Sequence, residues 1–516
     1  MKKFNLTGVC NPRKHYMVDT TTKLDAIAAL VDEGKYFTIN RARQYGKTTT
    51  LHQLEQRFKK SQYITLRLSF EGAGITMFET PGAFCQEFLS QIAHVLGPVD
   101  AAYANRWLDT SIVDFGPLGR HIDTLCKDKQ IVLIIDEVDQ ASNNQIFLQF
   151  LGMLRRKYLD RDTEYTHTFH SVILAGVYDI KNIQLKSPSQ PPTFYNSPWN
   201  IATDFDIDMT FSPAEIATML ADYQDSTGLA FDTQSLSAEI YKYTSGYPFL
   251  VSRICSHVDT KLDKDWTISG IRAAVRLILS EKNVLFDDII KNLENNPNVY
   301  DFIYSLIFNG TKSTFVRDDP AVEHCHMFGL ITINHHGLVQ LANKVFETRI
   351  SNYFISKNQN TTKVDNLINI GVQEAVVTAG RFDMAVALGK FAQFYTSVFT
   401  TMDTPFLESH GRLIFLSYLF PLLNGKGFYH IESQLTDRRR MDVVVDYGQD
   451  QFIIELKLWK GEVAHAQAYA QLLGYMDTKN ATEGYLLTFD FRGSENKMPK
   501  AEWVCIDGRN IFDVIV

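Results

Sequence analysis

Short uninterrupted runs of apolar residues mark the first part of the chain, and stretches of helical period separate them. The runs, which we predict to be strands, are Tyr36–Asn40, Tyr63–Phe70, Ile131–Asp136 and Ser171–Val177. A continuous apolar run is typical of a parallel strand that helices cover on both faces. Strands that alternate with helices, such as the helix predicted over Thr48–Lys60, indicate an α/β fold with a parallel sheet.

From about Phe205 onward the apolar positions follow a helical period instead. Ser212–Asp222 and Thr233–Tyr243 are predicted helices of a small lid, and Ser245–Cys255 turns into a further helix. Short helices and a hairpin follow in the next part of the chain. Because helices followed by a hairpin are typical of a winged-helix module, we predict such a module here, with its hairpin strands at Leu330–Asn334 and Leu338–Asn343.

A polar stretch without periodicity, Ser356–Lys363, follows the predicted module. We predict that this stretch is a linker to a C-terminal domain. The region behind it begins with helical segments and then alternates strands with a helix, which predicts a second α/β domain. Its predicted elements are the strands Met441–Tyr447, Gln451–Leu458 and Glu483–Asp490 and the helix Val463–Tyr475.

Composition and charge exclude several classes of protein. The 516 residues, 45% of them hydrophobic, suggest three or four globular domains at roughly 100–200 residues each. A net charge of −8 excludes a wholly basic nucleic-acid coat, but not a local basic groove. The six cysteines form no CxxC pair, which argues against a disulfide framework and for a reducing compartment.

The sequence predicts neither a signal peptide nor a membrane-spanning helix. The first ten residues carry two lysines but no apolar segment of the kind found in signal peptides. The longest apolar stretch, Leu413–Leu423, is shorter than the ~20 residues that a spanning helix needs. We therefore expect a soluble, cytoplasmic protein without a membrane partner.

A candidate phosphate site lies between the first predicted strand and the helix after it. The segment from 40 to 48, NRARQYGKT, ends in Gly-Lys-Thr, although Arg41 stands where the pattern GxxxxGK[ST] has its first glycine. The backbone N–H groups at the helix start would face phosphate oxygens, Lys47 would reach the β- and γ-phosphates, and Thr48 would bind Mg²⁺. The alternative is a chance helix cap. The predicted nucleotide-binding residues are Arg43, Gln44, Tyr45, Gly46, Lys47, Thr48, Thr49 and Asp136.

Two carboxylates end the buried strand Ile131–Asp136, at the edge of the sheet where ligands bind in open α/β folds. Asp136 would hold Mg²⁺ through water, and Glu137 would orient and polarise the attacking water. The alternative is that both residues simply begin a loop. A third set of polar residues follows the strand that ends at Val177 and either reads the γ-phosphate or belongs to an ordinary loop: Tyr178, Asp179 and Asn182.

Together, the segments RARQYGKTTT, IVLIIDEVD and SGYPFLV resemble the AAA-like ATPase families of the STAND and origin-recognition type. The resemblance covers about residues 1–350 and implies ATP binding, a helical lid, often a winged helix, and tolerance of arginine at position 41. It also implies oligomerisation, in which an arginine is supplied across the interface. Arg155, Arg156 and Arg161 are candidates for that arginine, and a solvated helix end is the alternative.

The C-terminal domain holds a second candidate site. Glu455 and Lys457 share one face of a predicted strand, and a hairpin would bring Asp442 beside Glu455. Two neighbouring carboxylates repel each other unless a divalent cation such as Mg²⁺ or Mn²⁺ lies between them. Such a cation would generate hydroxide, and Lys457 would position the water or neutralise a phosphorane. The alternative is an edge hairpin with an exposed ion pair.

Three further residues extend this second site. Gln471 and Tyr475 lie one turn apart on the predicted helix, and Glu408 lies on a helix predicted before the strands. The ensemble D…ExK…QxxxY resembles the PD-(D/E)XK nuclease superfamily over about residues 365–516. The resemblance implies that Asp442 and Glu455 are metal ligands and that Lys457 is the catalytic lysine. It also implies that Gln471 and Tyr475 support the site or contact DNA, and that Glu408 is an accessory ligand.

The sequence thus predicts four domains and two activities. The domains are an AAA-like P-loop core at 1–205, a helical lid at 206–280, a winged-helix-like module at 281–355 and a nuclease-like α/β domain at 356–516. We expect ATP and Mg²⁺, with Mn²⁺ as an alternative at the nuclease site, and DNA as partner, with Arg438–Arg440 as phosphate contacts or a solvated turn. ATP use would license DNA cleavage by an oligomeric or partner-regulated protein, as suits anti-phage defence. The alternatives are a STAND-like signalling switch with a non-cleaving domain and a DNA-binding regulator.

Overall fold

The structure is a computed structural model of the chain. It describes residues 2–72, 74–141, 144–163, 166–177, 184–185, 193–194, 198–309, 313–362, 376–378, 381–398, 408–423, 427–432, 442–448, 450–490 and 500–516. The chain divides into two compact units. The first contains Met1–Ser237, Gly246–Arg253 and Met327–Gly329, and the second contains Ala238–Ser245, Ile254–His326 and Leu330–Val516.

A four-stranded parallel sheet forms the centre of the first unit, in the order β1-β4-β3-β2. Every residue of the two inner strands is buried, which explains why these strands are continuous apolar runs in the sequence. The predicted parallel sheet is therefore confirmed. The strands are β1 (Tyr36–Asn40), β2 (Ile64–Ser69), β3 (Ile131–Asp136) and β4 (Ser171–Gly176).

Helices cover both faces of this sheet. Alternate residues of β3 belong to two different apolar clusters, one built around Phe84, Trp107 and Phe150 and the other around Ile27 and Leu51. The helices are α1 (Thr21–Asp32), α2 (Lys47–Phe58), α3 (Pro81–Leu96), α4 (Ala101–Trp107), α5 (Phe115–Cys126), α6 (Gln145–Asp160) and α7 (Pro213–Thr227). Short elements complete the unit: the 3₁₀ turns Ile75–Phe78, Val138–Gln140 and Pro198–Ile201, and the strands β5 (Gln184–Leu185) and β6 (Thr193–Phe194).

In the described residues between the four-stranded sheet and the six-stranded C-terminal sheet, the chain forms helices and a hairpin. The predicted hairpin is present, with Ile331 opposite Leu341 and Gly337 at φ 74° in its turn. The elements are α8 (Thr233–Thr244), α9 (Pro248–Lys261), α10 (Ile268–Ser280), α11 (Val284–Asn295), α12 (Pro297–Tyr304), a π-helical turn (Ser305–Asn309), α13 (Pro320–Met327), β7 (Ile331–Ile333), β8 (Val339–Leu341) and α14 (Lys344–Thr362).

Helix α14 corrects the predicted linker. The helix continues to Thr362, so most of the polar stretch that begins at Ser356 is helical. Neither Gly nor Pro occurs within α14 to end it earlier. Arg349 of α14 donates to the backbone carbonyl of Leu279 at 2.6 Å, and the Thr348 hydroxyl donates to that of Tyr429 at 3.3 Å. Contacts of this kind hold the helix against its neighbours, which a local sequence pattern does not show.

A six-stranded mixed sheet forms the C-terminal part of the second unit, in the order β11-β12-β13-β14-β16-β15. Strands β13, β14 and β16 are mutually parallel, and the remaining neighbours are antiparallel. The strands are β11 (Gly427–Glu432), β12 (Asp442–Tyr447), β13 (Asp450–Leu458), β14 (Glu483–Phe489), β15 (Lys500–Ile506) and β16 (Arg509–Ile515). Strands β11, β15 and β16 were not predicted.

Helices lie on both faces of this sheet as well. One face carries the crossover helix that joins β13 to β14, whereas Phe391 and Tyr395 of the helix Met384–Val398 meet Phe489 from the opposite face. The helices are α15 (Met384–Val398), α16 (Glu408–Leu423) and α17 (Glu462–Lys479), and a small pair of strands, β9 (Val377–Thr378) and β10 (Arg381–Phe382), precedes them. In the described part of the chain, no helix combines the length and the hydropathy needed to span a bilayer.

Candidate nucleotide and nuclease sites

The loop between β1 and α2 has the backbone of a phosphate-binding turn. Gln44 and Gly46 adopt positive φ angles of 58° and 83°, and Gly46 caps the N-terminus of α2. A positive φ at the helix cap suits glycine, which has no Cβ to clash. The first amide groups of α2 therefore lie at the end of the loop, where a helix favours negative charge.

Arg41 explains why the loop tolerates the loss of the first glycine. Its φ angle is not positive, so glycine is not required at this position. The guanidinium donates to the backbone carbonyls of Ile207 at 2.8 Å and Asn40 at 2.8 Å, and it lies over the Phe205 ring, 5.3 Å from its centroid. Burial lowers the pKa of Arg41. The arginine thus fixes the start of the loop through side-chain contacts.

Lys47 is buried at the start of α2, with 7% of its surface exposed. Its ammonium donates to the backbone carbonyls of Arg41 at 2.7 Å and Ala42 at 3.0 Å. Burial lowers the pKa of Lys47, and the carboxylates of Asp139 and Glu137 act against that shift. The cation is therefore held inside the loop by neutral dipoles, close to the acidic end of β3.

That acidic end contains two of the predicted residues. Asp136 is 3% exposed, and its Oδ1 accepts the backbone N–H of Glu137 at 3.0 Å while Oδ2 lies 3.7 Å from Nη2 of Arg67. Glu137 adopts a positive φ of 55°, and burial raises the pKa of its carboxyl group. A raised pKa suits a group that must take up a proton from water.

Asp139 is a residue that the sequence interpretation missed. Both of its carboxylate oxygens accept the backbone N–H of Val177, at 2.9 and 2.7 Å, just beyond the end of β4. A Cβ on Gly176 would lie 2.8 Å from Oδ1 of Asp139, so this close approach depends on glycine. Asp139 joins the acidic turn after β3 to the neighbouring strand. Its place three residues after Asp136 was the only available signal.

Tyr247 gives the segment SGYPFLV a structural role at the phosphate loop. Its hydroxyl donates to the backbone carbonyl of Arg43 at 2.5 Å, and its ring meets that of Tyr45 at 4.8 Å. Gly246 precedes it with φ 74°, and a Cβ there would lie 2.0 Å from the carbonyl oxygen of Phe211. Only glycine fits at this position, and the backbone it permits carries Tyr247 to the loop.

Other predicted residues have different environments. The hydroxyl of Thr49 accepts the backbone N–H of Cys10 at 3.1 Å, so Thr49 holds the N-terminal segment against α2, and Thr48 is half-buried beside it. Arg161 donates to the carbonyl of Gly34 at 2.6 Å and is used inside its own unit, whereas Arg156 is largely exposed. Outside the described residues lie Tyr178, Asp179, Asn182 and Arg438–Arg440.

The second site lies on the hairpin of β12 and β13. The register places the Cα atom of Asp442 directly across from that of Glu455, and Gly448 with φ 61° lies in the turn between the strands. The predicted hairpin is therefore present with the predicted partners opposite each other. Only the backbone of Asp442 and of Glu408, the first residue of α16, is described.

Glu455 has no exposed surface, and Lys457 forms an ion pair with its Oε1. The Lys457 side chain is 22% exposed, so the pair opens to solvent on the lysine side. Ile453, two residues before Glu455, packs under α17, and residues at i and i+2 share one face of a strand. The pair thus lies on the face of the sheet that α17 covers, and it is not an exposed edge pair.

The two predicted residues of α17 differ in burial. Tyr475 is 6% exposed and packs in the apolar core under α17 with Ile453 and Leu486. Ile453 lies two residues before Glu455 on the same strand, and Leu486 lies across from Glu455 on β14. Gln471 is half-buried. Tyr475 therefore supports the sheet beneath the candidate site.

The donor groups present fit Mg²⁺ or Mn²⁺, since carboxylate oxygens are the ligands that hard divalent cations prefer. Asp136 and Glu455 are both buried, and a buried carboxylate is stabilised by a nearby cation. Among the side chains that the structure describes, which do not include those of Asp442 and Glu408, no group of three or more His, Cys, Asp or Glu is gathered for a metal ion.

Two family models match separate parts of the chain. Residues 9–344 match the AAA-like domain family, and residues 428–500 match the PD-(D/E)XK nuclease superfamily. No curated protein matches the chain.

Among the solved structures that resemble the chain, two each cover about two thirds of it. The Walker-type ATPase PABY2304 of Pyrococcus abyssi is 11% identical, with a TM-score of 0.47, over 67% of this chain and 99% of that chain. Cdc6p from Pyrobaculum aerophilum is 13% identical, with a TM-score of 0.33, over 69% and 97%. On the match to residues 9–344, this chain belongs to the AAA-like domain family, and it carries a C-terminal domain of the PD-(D/E)XK nuclease superfamily.

Proposed function

We propose that this protein hydrolyses ATP at the loop between β1 and α2 and cleaves DNA phosphodiesters at a Mg²⁺- or Mn²⁺-dependent site on the β12–β13 hairpin. The observation that carries the nuclease proposal is the buried Glu455–Lys457 pair directly across from Asp442. Glu455 is already removed from water, Lys457 places a cation beside it, and Asp442 places a second carboxylate on the neighbouring strand. The membership of the superfamily supports the same reading.

At the first site, Lys47 exchanges the carbonyl oxygens of Arg41 and Ala42 for oxygens of the β- and γ-phosphates. Thr48 and Asp136 are the residues that would hold Mg²⁺. Glu137 takes a proton from the attacking water, a role that its raised pKa favours. Asp139 keeps Glu137 in place, because it bonds the acidic turn to the backbone after β4.

At the second site, Asp442 and Glu455 would hold the divalent cation, with Glu408 as an additional ligand. When bound, the cation supplies the positive charge that activates water and stabilises the phosphate oxygens. Lys457 orients the water and offsets negative charge on the phosphate, while Gln471 and Tyr475 support the sheet and helix around it. Arg438–Arg440 bind the DNA backbone through a salt-dependent contact.

We place the protein in the cytoplasm, with DNA as its partner, in a homo-oligomer or under control of another protein. The domain bounds stay those of the sequence: a core at 1–205, a lid at 206–280, a winged-helix-like module at 281–355 and the nuclease domain at 356–516. An ATPase joined to a nuclease suits defence against foreign DNA, in which ATP use permits cleavage.

Plasmid cleavage tests the nuclease proposal. With supercoiled DNA and Mg²⁺ or Mn²⁺, we expect nicking or linearisation by the wild type, a loss of about 100-fold or more in Glu455→Gln and Lys457→Ala, and no cleavage with a chelator. Lys500→Ala is the matched control, because Lys500 pairs with Glu502 two residues away on an exposed strand of the same sheet. Binding of the plasmid without cleavage by the wild type would favour a signalling switch or a DNA-binding regulator.

ATP turnover tests the first site independently. Lys47→Ala is expected to abolish ATP binding, whereas Glu137→Gln should keep binding and lower kcat about 100-fold or more. Lys59→Ala, at the exposed end of α2, serves as the control. Turnover at the wild-type rate in both Lys47→Ala and Glu137→Gln would contradict the assignment of this site.

A further inference from the structure

Helix α17 is held to the sheet in two different ways along its length. Its second half packs closely, since a Cβ on Gly484 of β14 would lie 2.6 Å from the sulfur of Met476 and 3.2 Å from Leu472. Its first half buries only one apolar side chain, the small Ala468. Apolar packing therefore fixes the end of α17 but leaves its beginning with little to hold it.

Polar contacts to Asp513 replace that packing. The Tyr469 hydroxyl donates to Oδ2 of Asp513 at 2.7 Å, and Nε2 of His465 lies 2.9 Å from the same oxygen. Asp513 is 2% exposed on β16, and the His465 side chain is 9% exposed. Within the described chain, Oδ1 of Asp513 and Nδ1 of His465 have no hydrogen-bond partner. The first two turns of α17 are thus fixed to β16 through one buried carboxylate oxygen.

A buried cluster of this kind is a weak source of stability, because taking a carboxylate out of water offsets most of what its contacts contribute. Its main effect is on the position of the helix. Apolar contacts change little when a helix slides or rotates slightly, whereas hydrogen bonds require both distance and angle. Asp513 therefore defines where the first half of α17 lies on the sheet more than it stabilises the fold.

The candidate nuclease pair lies in the same row of the sheet. Glu455 is across from Leu486, and Leu486 is across from Asp513. At roughly 4.8 Å between strands, the Cα atoms of Glu455 and Asp513 are about 10 Å apart. The row faces α17, because Leu486 belongs to the core under that helix.

The connection from β13 into α17 also passes through this cluster. The Trp459 ring lies 5.0 Å from the ring of His465, and the Trp459 backbone N–H donates to the carbonyl of Phe489 at 2.8 Å. Trp459 is two residues beyond Lys457. A shift of His465 would therefore disturb the segment that leads away from Lys457.

We propose that Asp513, with His465 and Tyr469, is a positioning residue of the nuclease site: it sets the position of the first half of α17 and thereby aligns Lys457 with Glu455 for cleavage. The proposal rests on the proposed nuclease function. It assigns a role to a buried Asp–His–Tyr cluster that belongs to neither the D…ExK hairpin nor the QxxxY helix motif.

The experiment compares Asp513→Leu with Asp513→Asn in the full chain. Leucine keeps the branched shape, with larger methyl groups in place of the oxygens, but removes both polar contacts. Asparagine keeps the size, keeps an acceptor for Tyr469 and can donate to a neutral His465. In Asp513→Leu we expect kcat for plasmid cleavage, measured well below the melting temperature, to fall at least 10-fold with KM unchanged. The melting temperature should fall modestly, because His465 and Tyr469 lose their buried acceptor. Asp513→Asn should recover kcat to within 3-fold of the wild type.

Hydrogen exchange gives a readout that needs no cleavage. In Asp513→Leu the amides of residues 463–470 should exchange at least 10-fold faster, while those of residues 472–479 keep their wild-type rates. Glu502→Leu is the control, since Glu502 lies across from Asp513 on the exposed strand β15. Wild-type kcat in Asp513→Leu, or uniform exchange along α17, would overturn the proposal. If the wild type itself fails to cleave, the nuclease function is refuted, and exchange still decides whether Asp513 anchors α17.

Discussion

Lys47 in the first unit and Lys457 in the second are both assigned to phosphate chemistry, but their partners are of opposite kinds. The ammonium of Lys47 donates to the neutral backbone carbonyls of Arg41 and Ala42. The ammonium of Lys457 pairs with the carboxylate of Glu455, which has no exposed surface. The hydrogen bonds of Lys47 thus run to dipoles, with the carboxylates of Asp139 and Glu137 farther away, whereas Lys457 is paired directly with a buried charge.

This difference suggests that Lys47 is available to bind a ligand, whereas the folded state needs the charge of Lys457. A backbone carbonyl that loses Lys47 remains a neutral group, so phosphate can take up the lysine at small cost. A buried carboxylate that loses its cation is far more costly, because the charge is left in a medium of low polarity. We therefore expect Lys457 to contribute to stability until a divalent cation is present, and Lys47, which we propose to bind phosphate, to contribute less.

The largest expected effect concerns stability. Lys457→Ala should lower the free energy of unfolding of the second unit by about 2–3 kcal/mol, below the roughly 3–5 kcal/mol typical of a fully buried pair because the Lys457 side chain is 22% exposed. Lys47→Ala should lower the free energy of unfolding of the first unit by a smaller amount, about 1–2 kcal/mol, because two neutral carbonyls lose a donor. Urea unfolding followed by hydrogen exchange at the strands of each unit measures both values.

A double variant tests the physical reason for this difference. Glu455→Gln removes the buried charge, so adding Lys457→Ala to it should cost less than about 1 kcal/mol. Lys500→Ala again serves as the control for an exposed pair, for which a change of about 0–1 kcal/mol is expected. Equal destabilisation by Lys457→Ala with and without Glu455 would show that the lysine acts through packing of its stem and not through its charge.

Mg²⁺ should restore part of the stability that Lys457→Ala loses, which is a smaller effect than the loss itself. If Mg²⁺ replaces the missing cation beside Glu455, the Lys457→Ala variant should regain about 1.4–2 kcal/mol at 10 to 30 times the dissociation constant for Mg²⁺. Its affinity for Mg²⁺ should exceed that of the wild type, in which Lys457 repels the ion. A Mg²⁺ titration of the unfolding free energy checks this, with Glu455→Gln/Lys457→Ala as the variant that should no longer respond.

The two sites also differ in how far the sequence predicts them. The register of Asp442 and Glu455 follows from a short turn between two strands, so local pattern sufficed to place them opposite each other. The run Ile131–Asp136 predicted β3 with both its ends, because a strand buried on both faces is apolar throughout. Local information therefore predicted the sheet of the first unit and the hairpin of the second.

Local sequence patterns did not predict the contacts between segments that are distant in the chain. Tyr247 meets the carbonyl of Arg43, and Asp139 meets the amide of Val177, although 204 and 38 positions separate them in the chain. The helical continuation of α14 was mistaken for a linker, since its polar residues carry no apolar period. The surroundings of the phosphate loop thus depend on tertiary folding, whereas the core of the nuclease hairpin is local.

The smallest effect tests whether these distant contacts matter at the phosphate loop. Tyr247→Phe removes the hydroxyl that holds the Arg43 carbonyl but keeps the ring contact with Tyr45. Loss of one hydrogen bond of about 1 kcal/mol should loosen the loop and weaken ATP binding about 5-fold, with kcat little changed. Tyr63→Phe is the matched control, because its hydroxyl donates to Asp32 at an exposed site of the same unit, and it should leave ATP affinity within 2-fold. Calorimetry with ATP measures both affinities. Wild-type affinity in Tyr247→Phe would mean that the SGYPFLV segment does not hold the loop by its hydroxyl, and that the surroundings of the phosphate loop depend less on distant contacts than the structure suggests.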